Sequence, residues 1–264
     1  MFSREHAPIS SAALDAIDAQ AASTLRQSLS ARRFVDVKGP MGWEFSGVPL
    51  GRFESLEVDG NVGFGVRRLV PVVETRADFS LSALELHLMD RGAVDPDLTA
   101  VEKAALELAA FEDRAVYSGF GKAGIKGLAD MAENSAVSLP EDPQGLLYAL
   151  AGEISRMKTA SSIGGPYALA GGTALRAALG RIVGGKSLFE IIKKNSDIDE
   201  FIFTPSSDAA LLVSKRGGDF ELTVGGDFVV GYAGTDGKNL AFFLTESFTF
   251  RVIEPRAFTP LSVK

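Results

Sequence analysis

The 264-residue sequence contains no cysteine and only two histidines. Without cysteine the chain can form no disulfide bond and no thiolate metal site, and it has no cysteine nucleophile. His6 and His87 are too far apart to form a zinc-binding motif, and we expect both at the surface. No serine stands in a Gly-x-Ser-x-Gly setting. These absences argue against most hydrolase and metalloenzyme sites, and we expect neither a metal nor a cofactor.

The sequence also lacks long apolar runs and an excess of basic residues. No stretch approaches the roughly 18 apolar residues that a membrane span needs. Charged residues, Arg4 and Glu5, stand where a secretory signal would begin its apolar region. The 34 acidic residues outnumber the 27 basic ones, whereas nucleic-acid sleeves carry basic surfaces that release phosphate counterions. We therefore expect a cytoplasmic protein with no membrane partner and no nucleic-acid partner.

The apolar residues are numerous and their spacing predicts an α+β protein. At 46% apolar composition, the chain can form one large core or two modest ones. Apolar stripes and capping signals predict helices from Ser10 or Ser11 to about Ala31, at Ser80–Asp90, at Thr99–Tyr117, after Asp142-Pro143 and at Thr173–Leu179. Apolar and alternating runs predict strands at Arg52–Val58, Val62–Val73, Tyr167–Ala170, Phe201–Phe203, Ala209–Val213, Glu221–Val224, Phe228–Tyr232 and Ala241–Val252.

Two of these predicted strand regions need a partner or a cover: the hairpin at 52–73 and the last strand. The hairpin at 52–73 is rich in glycine and has little core of its own, so it needs a partner to be stable. In the last strand, Phe248 and Phe250 alternate with Thr249 and Arg251, which predicts one buried face. We expect the long helix that begins at Thr99 to cover that face.

One segment matches a nucleotide-binding pattern. Gly180–Ser187 fits the phosphate-loop pattern G-x-x-x-x-G-K-S. Such a loop cradles phosphate with backbone amides between a buried strand and a helix. The residues before Gly180 instead predict a helix, and no apolar strand with a terminal magnesium-binding aspartate follows. Nucleotide binding at this loop is therefore an alternative that the local pattern disfavours.

Two acidic clusters have the residue types for acid–base chemistry. They are Glu112-Asp113 and the group Asp197, Asp199 and Glu200. Adjacent acids on a helix or loop are typical of a solvated face. We interpret both clusters in that way.

The most specific signal is residues 34–51, FVDVKGPMGWEFSGVPLG, which include the single tryptophan, Trp43. This run resembles the early segment of encapsulin shell proteins, a bacterial nanocompartment family related to tailed-phage major capsid proteins. Further blocks match in family order and extend the resemblance over essentially the whole chain. They are Ala110–Asp113, Lys126–Leu128, Gly165–Tyr167, Lys215–Phe220 and Thr245–Phe250.

The resemblance implies the α+β fold of tailed-phage major capsid proteins. It divides the chain into an N-terminal helix and strand-turn segment (1–47), an extended loop (48–75), a peripheral domain in two pieces (76–132 and 217–264) and an axial domain (133–216). It further implies an icosahedral shell of many copies that holds a ferritin-like or dye-decolourising peroxidase cargo by a short targeting tail. Such shells serve iron storage or the response to oxidative stress, and the shell protein is not an enzyme.

Two alternatives stay open from the sequence. One is a prophage major capsid protein that encloses DNA, and the other is a nucleotide-binding enzyme that uses Gly180–Ser187. The contents of the particle, DNA or a protein cargo, distinguish the first alternative from the encapsulin interpretation. Nucleotide binding by the chain distinguishes the second.

The resemblance also implies three sets of functional residues and no catalytic or metal-binding ones. The cargo-docking set comprises Leu25, Leu29, Arg32, Asp36, Phe228 and Val230. The five-fold pore loop comprises Ile182, Val183, Gly184, Gly185 and Lys186, and the intersubunit loop set comprises Phe53, Leu56, Val58 and Phe64.

Overall fold

The computed structural model describes residues 2–263, so the outermost residues of the predicted ranges 1–47 and 217–264 lie outside the described part. The chain forms two compact units. The first unit comprises Met1–Ser28, Lys38–Phe111 and Thr223–Thr249. The second unit comprises Leu29–Val37, Glu112–Leu222 and Phe250–Lys264.

Helices and strands alternate irregularly along the chain, as expected for an α+β protein. The helices are α1 (Ser11–Ser28), α2 (Ala83–Asp90), α3 (Thr99–Ser118), α4 (Leu128–Met131), α5 (Pro143–Ala160), α6 (Thr173–Leu179) and α7 (Leu188–Asn195). The strands are β1 (Asp36–Lys38), β2 (Gly47–Asp59), β3 (Val62–Pro71), β4 (Val73–Ser82), β5 (Val137–Leu139), β6 (Tyr167–Gly171), β7 (Ile182–Val183), β8 (Lys186–Ser187), β9 (Ile198–Phe203), β10 (Ala210–Ser214), β11 (Phe220–Val224), β12 (Val229–Thr235), β13 (Asn239–Val252) and β14 (Phe258–Val263).

The predicted hairpin is present as a separate two-stranded sheet of β2 and β3. Its turn lies at Gly60-Asn61, where Gly60 has a φ of 58°, a conformation that glycine adopts without strain. Residues 51–69 are exposed except for two half-buried positions. The hairpin therefore contributes little to either core. Its second strand ends at Pro71, and the predicted end residue Val73 opens the next strand instead.

Strand β4 replaces the beginning of a predicted helix. Phe79 and Leu81 are buried on alternate positions, which is the strand period. The pairing of β4 with β13 continues to Ser82. Helix α2 therefore begins at Ala83 and not at Ser80.

Strand β13 lies inside a five-stranded sheet of order β1–β11–β13–β12, and β4 also pairs with it. The ring of Phe111 in α3 meets Phe248 of β13 edge-on with centroids 6.2 Å apart, which confirms the predicted helix cover. The prediction of a single buried face is wrong, because residues 242–250 are buried throughout. Two polar residues of β13 form hydrogen bonds: the Thr245 hydroxyl donates to the Thr75 carbonyl at 2.6 Å, and the Ser247 hydroxyl accepts the Gly226 amide at 2.8 Å.

The second unit contains a sheet of order β5–β14–β10–β6–β9. Strand β10 is antiparallel to β14 and β6, and β6 runs parallel to β9. Helix α5 begins at Pro143 as predicted, and the Asp142 carboxylate caps it by accepting the Gly145 amide at 2.6 Å. Among residues 2–263, no helix is both long enough and apolar enough to cross a membrane.

Candidate functional site

A groove in the first unit runs between helix α1 and strands β12 and β13. Its volume is about 210 Å³. It is lined by Arg4, Asp18, Ala21, Ala22, Leu25, Phe228, Val229, Val230 and Leu244. We call this feature the α1 groove.

The walls of the α1 groove are apolar, and most of their residues belong to helix α1 and strands β12 and β13. Leu25 and Val230 are buried at 6% and 2% exposure, so their backbones are held by the core. Ala22 is exposed and Phe228 is half-buried, so both present surface that an incoming chain segment can cover. The small alanines of α1 leave the space that larger residues would fill. The groove is therefore suited to hold a few apolar side chains.

One end of the α1 groove is polar. The Arg4 guanidinium donates to the Asp18 carboxylate with Nη2 and Oδ2 2.5 Å apart. The Arg4 side chain is 29% exposed and the Asp18 side chain is 41% exposed. Solvent therefore reaches this ion pair, which lies at the edge of an otherwise apolar surface.

The chain before Arg4 is held on the sheet. The Tyr232 amide of β12 donates to the Phe2 carbonyl at 2.9 Å. The ring of Phe2 lies 5.0 Å from Trp43 and 6.5 Å from Phe243, measured between centroids. These contacts set the position from which Arg4 reaches α1.

The structure brings together half of the predicted cargo-docking set. Leu25, Phe228 and Val230 all line the α1 groove. Asp18 and Ala22 lie on the same helical face as Leu25, at positions i−7 and i−3, so the periodicity of α1 was sufficient to find them. Arg4 has no comparable sequence signal and was missed.

The remaining three residues of that set belong to the second unit, where each has contacts of its own. Leu29 is buried at 8% exposure. Arg32 Nε lies 3.0 Å from both carboxylate oxygens of Glu112. Asp36 accepts the Gly218 amide at 2.5 Å. Arg32 and Asp36 therefore have structural partners within this unit.

The interpretation of Glu112-Asp113 as a solvated face is wrong, because both residues are completely buried. Asp113 accepts hydrogen bonds from the Ser30 hydroxyl at 2.6 Å, the Ala31 amide at 2.9 Å and the Thr204 hydroxyl at 2.9 Å. Burial raises the pKa of Asp113, although these hydrogen bonds act in the opposite direction. The pair organises the segment after α1 and offers no open acid–base site.

The second acidic cluster is at the surface but is paired with cations. Asp197 forms an ion pair with Lys158, and Lys215 pairs with both Asp199 and Glu200. Residues 2–263 contain no group of three or more histidine, cysteine, aspartate or glutamate side chains arranged to hold a metal. His6 and His87 are exposed, as predicted.

The Gly180–Ser187 segment is a small hairpin and not a phosphate loop. Helix α6 precedes it, and β7 pairs with β8 through Val183 and Lys186. Gly184 and Gly185 form the turn with φ values of 57° and 79°. Ser187 then caps α7 by accepting the Glu190 amide at 3.4 Å. A buried strand before the loop is missing here, as the sequence predicted. Ile182 and Lys186 are exposed on this hairpin.

The β2–β3 hairpin carries an uncovered apolar surface. Its predicted intersubunit residues are largely exposed, namely Phe53 at 53%, Leu56 at 73%, Val58 at 74% and Phe64 at 44%. An apolar surface of this kind is typical of a protein–protein contact.

Comparison with known proteins gives a consistent result over most of the chain. A family model described as "Encapsulating protein for peroxidase" matches residues 1–249. The type 1 encapsulin shell protein of Rhodospirillum rubrum is 38% identical, and the match covers 98% of this chain and 95% of the relative.

Solved structures show the same fold at lower sequence identity. A virus-like particle from Pyrococcus furiosus has a TM-score of 0.68 at 19% identity, covering 94% of this chain and 98% of that one. The capsid of Myoviridae phage XM1 has a TM-score of 0.59 at 14% identity, covering 89% and 91%. The α+β fold is thus that of tailed-phage major capsid proteins, and the chain belongs to the encapsulin shell protein family.

Proposed function

We propose that this chain assembles into a closed icosahedral shell in the cytoplasm that encloses a cargo enzyme and is not itself an enzyme. Icosahedral rotational symmetry requires about 60 copies or a multiple of that number. Each copy then needs contact surfaces that are complementary to different surfaces of its neighbours.

The observation that carries the proposal is the exposed β2–β3 hairpin. Leu56 and Val58 retain 73% and 74% of their exposure, although both are apolar. A two-stranded sheet is marginal in water by itself, so a neighbouring copy that covers these side chains would stabilise it. We assign residues 48–75 to the extended intersubunit loop, between the N-terminal segment and the peripheral domain. The axial domain at 133–216 would surround the five-fold axis.

We assign the small hairpin at 182–187 to the five-fold opening. Gly184 and Gly185 permit a tight turn with no side chains at its tip. Several symmetry copies can then approach one another closely. The exposed Lys186 would give such an opening a positive charge and favour the entry of anions.

We assign the α1 groove to cargo docking. A short tail of the cargo protein would bury apolar side chains against Leu25, Phe228 and Val230, each gaining roughly 1.5–3 kcal/mol when fully covered. Ordering of the tail offsets part of this gain. Many identical grooves facing one cavity would retain an oligomeric cargo through a high effective concentration. Leu29, Arg32 and Asp36, which belong to the second unit, stay in the proposed docking set.

The cargo is proposed to be a peroxidase of the dye-decolourising type or a ferritin-like iron protein. The matching family model is described by peroxidase encapsulation, which supports the first class. A formal net charge of −7 supports protein contents over DNA. The hairpin geometry of Gly180–Ser187 supports a shell role over nucleotide hydrolysis.

The assignment is tested by substituting Ala22, which lines the groove from an exposed position. Shells are purified from the organism that encodes them, and co-purified protein is measured per shell by gel densitometry. Ala22→Phe fills the groove, so it should give intact particles with little cargo. Ala19→Phe is the matched control, because Ala19 is an exposed alanine of α1 outside the groove lining, and it should leave loading unchanged. Wild-type loading in Ala22→Phe shells would contradict the assignment.

A further inference from the structure

We propose that Asp59 is a site of spontaneous covalent modification, where the free subunit converts an aspartate to isoaspartate. The sequence contains two Asp-Gly pairs, Asp59-Gly60 and Asp236-Gly237. An Asp-Gly pair favours this reaction, because glycine has no side chain to hinder the approach of its amide to the aspartate carboxyl. The structure leaves the first pair free to react and holds the second. The reaction needs neither cargo nor an assembled shell.

The modification proceeds through a ring that includes the main chain. The Gly60 amide nitrogen attacks Cγ of Asp59, an N–Cγ bond forms, and the Cγ–OH bond breaks. The amide proton and the hydroxyl leave together as water, which gives a succinimide. Water then adds to the main-chain carbonyl carbon of the ring and breaks the bond from that carbon to nitrogen. The main chain now runs through the β-carboxyl group and contains an extra methylene.

The two Asp-Gly pairs have the same kind of location. All four residues are exposed. Both pairs lie where two antiparallel strands are joined, β2 to β3 and β12 to β13. The difference lies in the hydrogen bonds of the two reacting groups, which are the aspartate carboxyl and the amide that follows it.

Both reacting groups of the second pair are held. The Asp236 carboxylate accepts the Asn239 amide at 2.6 Å and the Lys238 amide at 2.8 Å. The Gly237 amide donates to the Thr235 hydroxyl at 3.0 Å. The hydrogen bonds from Asn239 and Lys238 lower the pKa of Asp236, so less of its carboxyl has the protonated form that loses water. Ring closure at Asp236 therefore has to break three hydrogen bonds.

The reacting groups of the first pair have no such partners. Among residues 2–263, none forms a hydrogen bond or an ion pair with the Asp59 carboxylate, and none accepts the Gly60 amide. The surrounding structure is also weaker. Strands β2 and β3 form a two-stranded sheet, which is marginal in water, whereas β12 and β13 belong to a five-stranded sheet. Local opening of the hairpin lets the Gly60 amide turn towards Cγ of Asp59 at low cost.

The product would alter the segment that we assign to the contact between subunits. Asp59 pairs with Val62 at the end of the β2–β3 ladder. An extra methylene at this place changes the turn that fixes the register of the two strands. We therefore expect subunits with isoaspartate at position 59 to be excluded from shells. The reaction then limits the time in which a free subunit can assemble.

The test compares each Asp-Gly pair with itself in the folded and the unfolded chain. Leu56→Asp combined with Val58→Asp supplies a subunit with an uncovered hairpin, and wild-type protein is treated in parallel. Both are kept for several days in neutral buffer and in concentrated guanidinium chloride. Trypsin then releases Phe53–Arg67 and Gly217–Lys238, which carry one pair each. Electron-transfer fragmentation measures isoaspartate at each pair, and dividing the folded rate by the unfolded rate removes the intrinsic reactivity of the local sequence.

In the uncovered subunit, we expect this rate ratio to be at least about tenfold higher at Asp59 than at Asp236. Asp59→Glu is the matched control, because it keeps the charge but would need a six-membered ring, and it should stop the reaction at position 59 alone. Thr235→Val removes the acceptor of the Gly237 amide and should raise the rate at Asp236 about threefold.

Equal ratios at the two residues, or a lower ratio at Asp59, would overturn the proposal. An unchanged rate at Asp236 in Thr235→Val protein would overturn hydrogen bonding as the cause of its protection.

The wild-type protein distinguishes this result from the proposed function. Slow modification of Asp59 in wild-type shells and fast modification in the double variant would support both the modification site and a covered hairpin. Fast modification in both proteins would support the site and contradict a covered hairpin. Slow modification in both would overturn the site without contradicting shell formation.

Discussion

Arg32 donates from Nε to both carboxylate oxygens of Glu112, whose side chain is completely buried. Arg32 itself keeps only 18% of its side-chain exposure. The Arg32–Glu112 ion pair lies in the second unit. It links the segment that follows α1 to Glu112, the first residue of the buried Glu112-Asp113 pair. The neighbouring Arg33 forms a much more exposed ion pair with Glu200, at 48% and 25% exposure.

The first prediction concerns the stability of the folded subunit. Arg32→Met removes the guanidinium that Arg32 presents to the buried Glu112 carboxylate. The change should destabilise the subunit by about 2–4 kcal/mol, because the buried charge of Glu112 then loses an ion-pair partner. The thermal unfolding midpoint, followed by Trp43 fluorescence, should fall by about 5–10 °C.

Arg33→Met provides the control for this change. Its exposed ion pair should contribute no more than about 1 kcal/mol. If Arg32→Met shells unfold like wild type but contain no cargo, the contribution of Arg32 would lie in docking and not in folding.

The second prediction concerns the β2–β3 hairpin. Leu56→Asp combined with Val58→Asp should prevent shell assembly, because a covering neighbour would have to bury two new carboxylates. The isolated subunit should stay folded by circular dichroism, since both positions are highly exposed. Glu57→Ser, an exposed change between them, should assemble normally in mass photometry. If the double variant forms normal shells, the hairpin does not form the proposed contact between subunits.

The third prediction concerns solute entry. Lys186→Glu should slow iodide quenching of an encapsulated fluorescent protein at low salt by about tenfold, because the charge of the opening is inverted in every copy. Quenching by neutral acrylamide should not change. Lys238→Glu is the control, because Lys238 is an exposed lysine of the first unit. Tight ATP binding that Lys186→Ala removes would contradict the pore assignment and favour the nucleotide-binding alternative.

Local patterns in the sequence predicted most regular elements, because each pattern has a direct local cause. The Asp142-Pro143 start of α5 is one such case, since proline and a capping carboxylate act within one helical turn. The helix before Gly180 is another, and it was sufficient to disfavour a phosphate loop. The exposed hairpin also followed from its composition.

The errors arose where tertiary contacts overrule local composition. Glu112 and Asp113 have the composition of a solvated face but are buried, because donors from distant segments satisfy the carboxylates. Thr245 and Ser247 of β13 are buried for a similar reason, because each forms a hydrogen bond with a distant segment. Arg4 was missed because its position depends on Phe2 contacts with the sheet, which no local pattern encodes.

Electron cryomicroscopy of the purified protein, without added cofactor, shows whether this chain forms a closed shell through the β2–β3 hairpin. We predict hollow particles with icosahedral symmetry in which Leu56 and Val58 of each copy are covered by a neighbouring copy. Monomers, small closed rings, or a shell in which these two side chains still face solvent would contradict assembly through this hairpin.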